Sequence, residues 1–144
     1  MAGWTYFRDP SGFHVAVPQP WLMSRVGPLV CFRDPSSPKA IAVVDRGSVA
    51  GDPARLLADG EPVWRDAAQL TGYQRLSLTN AQYNEGAADL EYTYQRNDTA
   101  MHGKNRLLRL DGRVFIVFWL TTEFSWSADQ ALVNFLQPSF GLDG

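Results

Sequence analysis

The 144-residue sequence predicts one α+β domain in which an antiparallel β-sheet is sandwiched between helices, as an α/β/α sandwich. The length matches the commonest size of a single domain, so residues 1–144 are expected to share one core. Residues 114–120 are apolar at every position, which in an antiparallel sheet indicates a central strand covered on both faces. Residues 88–94 alternate apolar and polar, as a strand with one buried face does. Helical patterns that begin near Asp52 and Ser127 supply the covering layers.

Two hairpins are predicted before the first helix. Strands at 4–8 and 13–17 flank the turn residues Asp-Pro-Ser-Gly, and Pro18 and Pro20 end the second strand because proline cannot donate to a ladder. Strands at 29–33 and 40–45 form the second hairpin. The phrase Phe-Arg-Asp-Pro-Ser occurs at both turns, and shared turn chemistry explains it more simply than an internal duplication.

The first helix is predicted from Asp52, with Pro53 at its first position, towards Leu70. The tripeptide at 60–62 contains Pro62 inside this pattern, and a proline within a helix costs about 3 kcal/mol. A kink or a division into two short helices is therefore expected. Gly72 is expected to end the element in the left-handed conformation.

Strands fill most of the second half, with segments at 73–78, 88–96, a stretch ending near Leu110, and 114–120. Turns are predicted near Asn80 and 84–86, then at 97–103. The dipeptide Asp111-Gly112 is typical of a two-residue hairpin.

A last helix follows, with Ser127 as a plausible cap, Pro138 as its end and Phe140 as a final anchor. Its apolar stripe consists of Ala131, Leu132, Phe135 and Leu136. The predicted element order is β-β-β-β-α-β-β-β-α.

The opening of the chain resembles that of PsbP-like domains. The matching positions are Asp9, Gly12, Phe13, Val15, Val17, Pro18 and Trp21, while Gln19-Pro20 stands where the family usually has a glycine. Residues 53–73, 87–94 and 126–140 also match. The chain is therefore similar to the PsbP/Mog-type fold family, and most similar to actinobacterial domains that stand alone or form the extracytoplasmic end of membrane-spanning serine/threonine protein kinases.

This resemblance implies binding or scaffolding, because PsbP-type members act in photosystem assembly and Mog-type members bind a small GTPase. The expected function is a non-catalytic binding or sensor module at the extracytoplasmic face of a bacterial membrane, with a kinase C-terminal domain as one setting and a cytoplasmic location as the alternative. A small hydrolase or isomerase using an aromatic pocket with Asp89, Glu91 or His102 is the second hypothesis. A protein-interaction subunit of a larger assembly is the third. The ligand or partner and the oligomeric state stay open.

Charge and composition argue against several partner classes. The net charge is −2 and the basic residues are scattered, so neither nucleic acid nor contact with a membrane surface is expected. Cys31 is the only cysteine, which excludes an internal disulfide and a cysteine-based metal site, and it is expected to be a buried small hydrophobe. No apolar run approaches the ~20 residues that cross a bilayer, and no signal peptide is visible at the N-terminus.

No catalytic, cofactor or metal site is predicted. His14 and His102 lack a ligand partner at short spacing and are interpreted as surface histidines. No Gly-x-Ser-x-Gly elbow and no glycine-rich phosphate loop occurs. Asp89 and Glu91 share one strand face, where a glycosidase-like pair is conceivable. The simpler interpretation is that these carboxylates pair across the strands with a basic side chain, namely Lys104, Arg106 or Arg109.

Four tryptophans are the best sequence pointers to a binding surface. They lie at the ends of predicted elements, where a partly exposed ring is expected, whereas Trp119 is expected in the core. The candidates are Trp4, Trp21, Trp64 and Trp126.

Overall fold

The computed structural model describes residues 3–81 and 85–142. Within these ranges the chain forms ten strands and two helices. They are β1 Trp4–Arg8, β2 Phe13–Pro18, β3 Leu22–Val26, β4 Leu29–Arg33, β5 Ala40–Gly47, α1 Pro53–Ala67, β6 Thr71–Ala81, β7 Ala87–Arg96, β8 Thr99–Leu110, β9 Arg113–Thr122, α2 Gln130–Ser139 and β10 Gly141–Leu142.

A seven-stranded antiparallel sheet with the order β3-β4-β5-β9-β8-β7-β6 forms the centre of the molecule. The central strand is β9, so the prediction that residues 114–120 lie in the interior of the sheet is confirmed. A smaller sheet of order β1-β2-β10 accompanies it.

The two faces of the large sheet have different covers. On one face, Phe13 of β2 and the α2 residues Val133 and Leu136 share a buried cluster with Phe115 and Trp119 of β9. On the other face, α1 packs against β6, β7 and β8. The predicted sandwich between two helical layers is therefore corrected, because a second β-sheet contributes much of one layer.

Local turn chemistry is confirmed at both Asp-Pro-Ser turns. The Asp9 carboxylate accepts hydrogen bonds from the Ser11 amide at 2.9 Å and its hydroxyl at 2.5 Å. The Asp34 carboxylate accepts the equivalent bonds from Ser36 at 2.9 and 2.8 Å. Each aspartate thus closes the turn with its own side chain, which accounts for the repeated phrase without duplication.

Helix α1 begins as predicted but continues without interruption through Pro62. The Asp52 side chain accepts a hydrogen bond from the Arg55 amide at 3.2 Å, and Pro53 is the first helical residue. The expected division into two helices is wrong, because tertiary contacts of the neighbouring Glu61, described below, hold this turn in place. The helix ends at Ala67, and the left-handed residue that follows it is Gln69, with φ of 54°. Gly72 is left-handed as predicted, with φ of 64°, but it lies in β6 and does not end the helix.

Three predicted boundaries differ around the later strands. Asn97 and Asp98, with φ of 48° and 64°, form a two-residue turn by themselves, so β8 begins at Thr99 and the predicted turn over 97–103 is wrong. Asn80 lies in β6, and residue 84 falls outside the described residues. The Asp111-Gly112 hairpin is confirmed, with φ of 51° and 74°.

The sequence did not predict β3 or β10. Every residue of β3 is exposed, since it is an edge strand, so it lacks the alternation by which strands are recognised. Cys31 in the adjacent strand is buried, as expected.

Helix α2 is shifted from its predicted position. The Asp129 carbonyl accepts the Val133 amide at 3.2 Å, so Asp129 rather than Ser127 precedes the helix. It extends to Ser139 and thus does not end before residue 138. Its buried side chains include Val133 and Leu136, whereas Ala131 is exposed, and Phe140 is buried as expected. The side chain of residue 135 lies outside the described part of the structure.

Candidate functional site

A cleft of about 460 Å³ opens between α1 and the large sheet. Its walls are mostly apolar and come from α1, from the loop before it and from the central strands. The apolar lining comprises Val44, Val49, Leu56, Leu57, Val63, Trp64, Ala67, Leu90, Leu107, Val114, Ile116 and Phe118. Arg46, Glu61 and Asn105 are the polar members. Clefts of this size with few polar groups are typical of small-molecule sites.

The cleft exists because α1 covers only part of its face of the sheet. The helix makes its main contacts with β6 to β8 and covers β5 and β9 less completely. The burial of β9 shows the difference, although Val114 on the α1 face is only 1% exposed. Phe115 and Trp119, which face the small sheet, are 0% and 2% exposed, whereas Ile116 and Phe118, which face α1, are only half-buried and line the cleft.

Glu61 fixes α1 to the edge strand β6. Its carboxylate accepts a hydrogen bond from the Tyr73 hydroxyl at 2.5 Å and pairs with the Arg75 guanidinium. The hydrogen bond from Arg75 lowers the pKa of Glu61 below its ordinary value, because it outweighs the opposing effect of desolvation. The hydrogen bond from Tyr73 lowers this pKa further. Desolvation, and then the bond to Glu61, raises the pKa of Tyr73. Glu61 is thus an ionised anchor that sets where the helix lies.

Aromatic rings build the inner wall of the cleft. The ring of Trp64 meets Tyr92 edge-on at a centroid distance of 4.9 Å and lies 6.0 Å from Phe118. The Tyr92 hydroxyl donates to Asn105 Oδ1 at 2.7 Å. Its ring lies over its cross-strand partner Gly103, where a Cβ would come within 2.5 Å of ring atoms. Only glycine leaves room for this ring, and the ring in turn supports Trp64.

A second polar cluster surrounds His102, outside the cleft. This histidine is 4% exposed, so its interpretation as a surface residue is wrong. Its Nδ1 lies 2.6 Å from a Glu123 oxygen and its Nε2 lies 2.8 Å from a Glu91 oxygen. The Trp126 ring stacks on the imidazole at 3.6 Å. Both ring nitrogens are engaged with carboxylates and one ring face is covered.

The carboxylates proposed for an enzyme do not converge on the cleft. Arg106 forms a bidentate pair with Asp89 at 2.7 and 2.8 Å, and Lys104 lies 3.5 Å from Asp89, so cross-strand pairing is confirmed for this residue. Glu91 contacts His102 instead. Neither carboxylate nor His102 lines the cleft.

The four candidate tryptophans lie in separate places. Only Trp64 lines the cleft. Trp126 stacks on His102, and Trp21 stacks on Trp119 with ring centroids 6.3 Å apart. Trp4 is half-buried in β1.

Two properties of the described residues bear on other classes of site. Over residues 3–81 and 85–142, no group of three His, Cys, Asp or Glu side chains is placed to hold a metal ion. No helix in these ranges has the length and apolar character needed to cross a membrane. His14, the other histidine, is half-buried and meets Tyr6 edge-on at 5.5 Å.

Sequence reasoning missed three residues that shape the site, namely Glu61, Arg46 and Phe118. The apolar pattern of residues 114–120 did include Phe118, but the pattern predicts burial and not a cleft. Glu61 was considered only as the neighbour of Pro62, because its partners on β6 are distant in sequence and no local pattern indicates them.

The family model described as serine/threonine kinase C-terminal domain matches residues 5–141. The structure resembles cyanobacterial PsbP (CyanoP) from Synechocystis, with 17% identity, 99% of this chain and 94% of that chain covered, and a TM-score of 0.80. It also resembles LpqN of Mycobacterium tuberculosis, described as involved in cell envelope biogenesis, with 19% identity, 98% and 91% coverage and a TM-score of 0.56. The Ran-binding protein Mog1p of Saccharomyces cerevisiae matches with 12% identity, 96% and 95% coverage and a TM-score of 0.62. No curated protein sequence matches. At these identities the solved structures establish the fold, and the predicted PsbP/Mog-type fold family is confirmed.

Proposed function

The chain belongs to the serine/threonine kinase C-terminal domain family, and from that premise we propose that it is a single non-catalytic binding module of a membrane-spanning kinase, acting on the extracytoplasmic side. The binding role of Mog1p and the cell-envelope role of LpqN support this setting. Its ligand occupies the cleft between α1 and the large sheet.

The cleft is the observation that carries this proposal. Its lining is largely apolar, and its shape is maintained by the anchor of Glu61 to β6. Val63 of the lining is 73% exposed, so apolar surface continues to the mouth. An apolar cleft with few polar groups suits the binding of a small apolar molecule.

Gly60 offers a direct way to close the cleft. It lines the cleft within α1, and a Cβ built on it meets no atom within 4 Å. Gly60→Phe is expected to fill the space and abolish binding of the neutral apolar dye Nile red, measured by its fluorescence. Gly60→Ala is the matched control and is expected to retain binding. Equal dye binding by wild type and Gly60→Phe would remove the cleft from the proposal.

The ligand itself is sought with a thermal-shift screen of cell-wall fragments and small metabolites on the wild type and Gly60→Phe. A true ligand raises the melting temperature of the wild type alone. If no compound does so, the small-ligand version of the proposal fails.

The setting is tested separately from the cleft. Alkaline phosphatase fused to the C-terminus of the full-length gene product is active only outside the cytoplasm. Active fusions support the extracytoplasmic location, and inactive but stable fusions contradict it.

A protein-interaction subunit is the second candidate function, favoured by the edge strand β3. Leu22 and Val26 are 62% and 67% exposed on one face of this strand. An exposed apolar edge strand is a template for pairing with an extended segment of another protein. Val26→Lys is expected to abolish recovery of such a partner from a pull-down while Nile red binding is unchanged.

A further inference from the structure

We propose that the natural ligand of the cleft is an amphipathic anion with a single apolar chain, whose chain lies along the cleft and whose anionic end binds Arg46. This inference rests on the proposed function, because it names the chemical class of ligand for the same cleft.

Arg46 lies on the cleft side of β5. It follows Val44 by two positions, so the alternation of the strand places both side chains on the face that lines the cleft. The strand is irregular at this point, because Asp45 pairs with Phe115 and Gly47 pairs with Val114, which leaves Arg46 with no partner on β9. Gly47 has φ of 71°, which suits glycine. Bulges are frequent beside binding sites, and this one lies where a cation stands on the rim of an otherwise apolar wall.

The charge of Arg46 is not neutralised within the described part of the chain. Its side chain makes no hydrogen bond or ion pair with any residue described. The adjacent Asp45 pairs with Arg113 and also accepts the Gly47 amide at 2.8 Å. Asp52 in the nearby loop accepts the α1 amide of Arg55.

The other charged group of the lining, Glu61, is already held by Arg75. Arg46 is therefore the one charge of the described lining that lacks a counterion. An apolar wall with a single unpaired cation favours a ligand that carries one negative charge.

Arg46 and the contact between Trp64 and Phe118 lie at opposite ends of the cleft. Arg46 adjoins Gly47, whose partner Val114 shares a buried cluster with Leu57 near the start of α1. Trp64, towards the end of α1, lies beside Phe118, four residues further along β9. A bound chain can thus run along β9 from the rim to Trp64 with its charged end at Arg46.

The loop that borders this rim is tied down, which keeps the site in shape. The Arg109 guanidinium donates to the carbonyl oxygens of Val49 and Gly51 at 2.7 and 3.0 Å. Val49 lines the cleft. The rim carries the ends of two arginine side chains, but Arg109 is occupied by these carbonyls and Arg46 is left to meet the ligand.

Decanoate and decan-1-ol are the probes, because they share a chain and differ in the charge of one end. Binding is measured by tryptophan fluorescence and by displacement of Nile red. We expect decanoate to bind the wild type about fivefold more tightly than decanol, the upper end of what an ion pair on an exposed cation such as Arg46 provides. Added salt is expected to reduce this preference.

Arg46→Gln is expected to make the two affinities equal, and Arg46→Lys to restore part of the preference. Arg33→Gln is the matched control, since Arg33 is exposed on β4 and does not line the cleft. It should keep the full preference. Melting temperatures should agree among the variants, because the Arg46 side chain has no partner to lose.

The possible failures are distinguishable. If decanoate and decanol bind the wild type equally and neither binds Gly60→Phe, the cleft binds apolar molecules and the proposed anionic class of ligand is wrong. If Arg46→Gln prefers decanoate as strongly as the wild type does, another group binds the carboxylate and the inference is overturned. If neither probe nor Nile red binds the wild type, both the proposed function of the cleft and the inference about its ligand are wrong.

Discussion

The two faces of β9 differ in how completely they are covered, although the sequence of the strand is apolar on both. On the face that meets the small sheet, Phe115 and Trp119 are excluded from water and pack with Phe13 and Phe140. On the face that meets α1, Ile116 and Phe118 remain half-buried and border a cleft. A filled face contributes stability, whereas an incompletely covered face provides a binding site at the cost of apolar surface left open.

The largest expected effect tests the filled face. Phe115→Ala removes a fully buried ring and should lower the free energy of unfolding by about 3–5 kcal/mol. Phe118→Ala removes a half-buried ring that borders open space, so its cost should be less than half as large. Urea denaturation of both variants measures the difference. Equal losses would contradict the assignment of the two faces.

Gly103 tests how the α1 face keeps its aromatic wall. Gly103→Ala forces the Tyr92 ring to move and should cost about 1–3 kcal/mol, as overpacking does. Nile red binding should also weaken, because Trp64 rests on Tyr92. Gly112→Ala is unsuitable as a control because of its positive φ, whereas Gly60→Ala changes a glycine with open space around it. If a stable Gly103→Ala protein binds the dye as the wild type does, the aromatic wall is not needed for binding in the cleft.

Glu61 tests whether α1 is held away from the uncovered half of the sheet. Glu61→Gln keeps the shape but loses the ion pair with Arg75, and we expect a loss of about 1–2 kcal/mol at neutral pH. The folded-state pKa of Glu61 lies below its ordinary value of 4.5, so the stabilisation is present above that pH and is lost as the pH falls through the folded value.

The stability of wild type and Glu61→Gln should therefore converge in acid. Thermal melts over a pH series measure this convergence. A difference between the two proteins that persists unchanged far below pH 4.5 would show that the carboxylate charge is not the stabilising feature.

The smallest effect has the opposite sign. Gly60→Ala should stabilise the protein by about 0.4–1 kcal/mol, since alanine restricts the unfolded chain and fits helical geometry at a position with open space. Chemical denaturation measures it. Destabilisation would mean that the cleft beside α1 is narrower than described.

The sequence predicted features whose causes are local. The apolar run at 114–120, the alternation at 88–94 and the Asp111-Gly112 hairpin all follow from side-chain period and turn chemistry, and each is confirmed. The same rules misjudged the turn after Arg96, because Asn97 and Asp98 both take positive φ and make a shorter turn than expected. Because of that error, the sequence prediction placed His102 at the surface, whereas the structure buries it in β8.

The sequence by itself determined the segments of the large sheet other than the edge strand β3, and which strand lies at its centre, because periodicity reports whether a side chain leaves water. Only the tertiary structure decided what covers each face, since that depends on contacts between distant segments such as Glu61 with Arg75 and His102 with Glu123. The cleft arises from the placement of α1 over one half of a face. Burial patterns record how much surface is hidden, and they do not record what hides it.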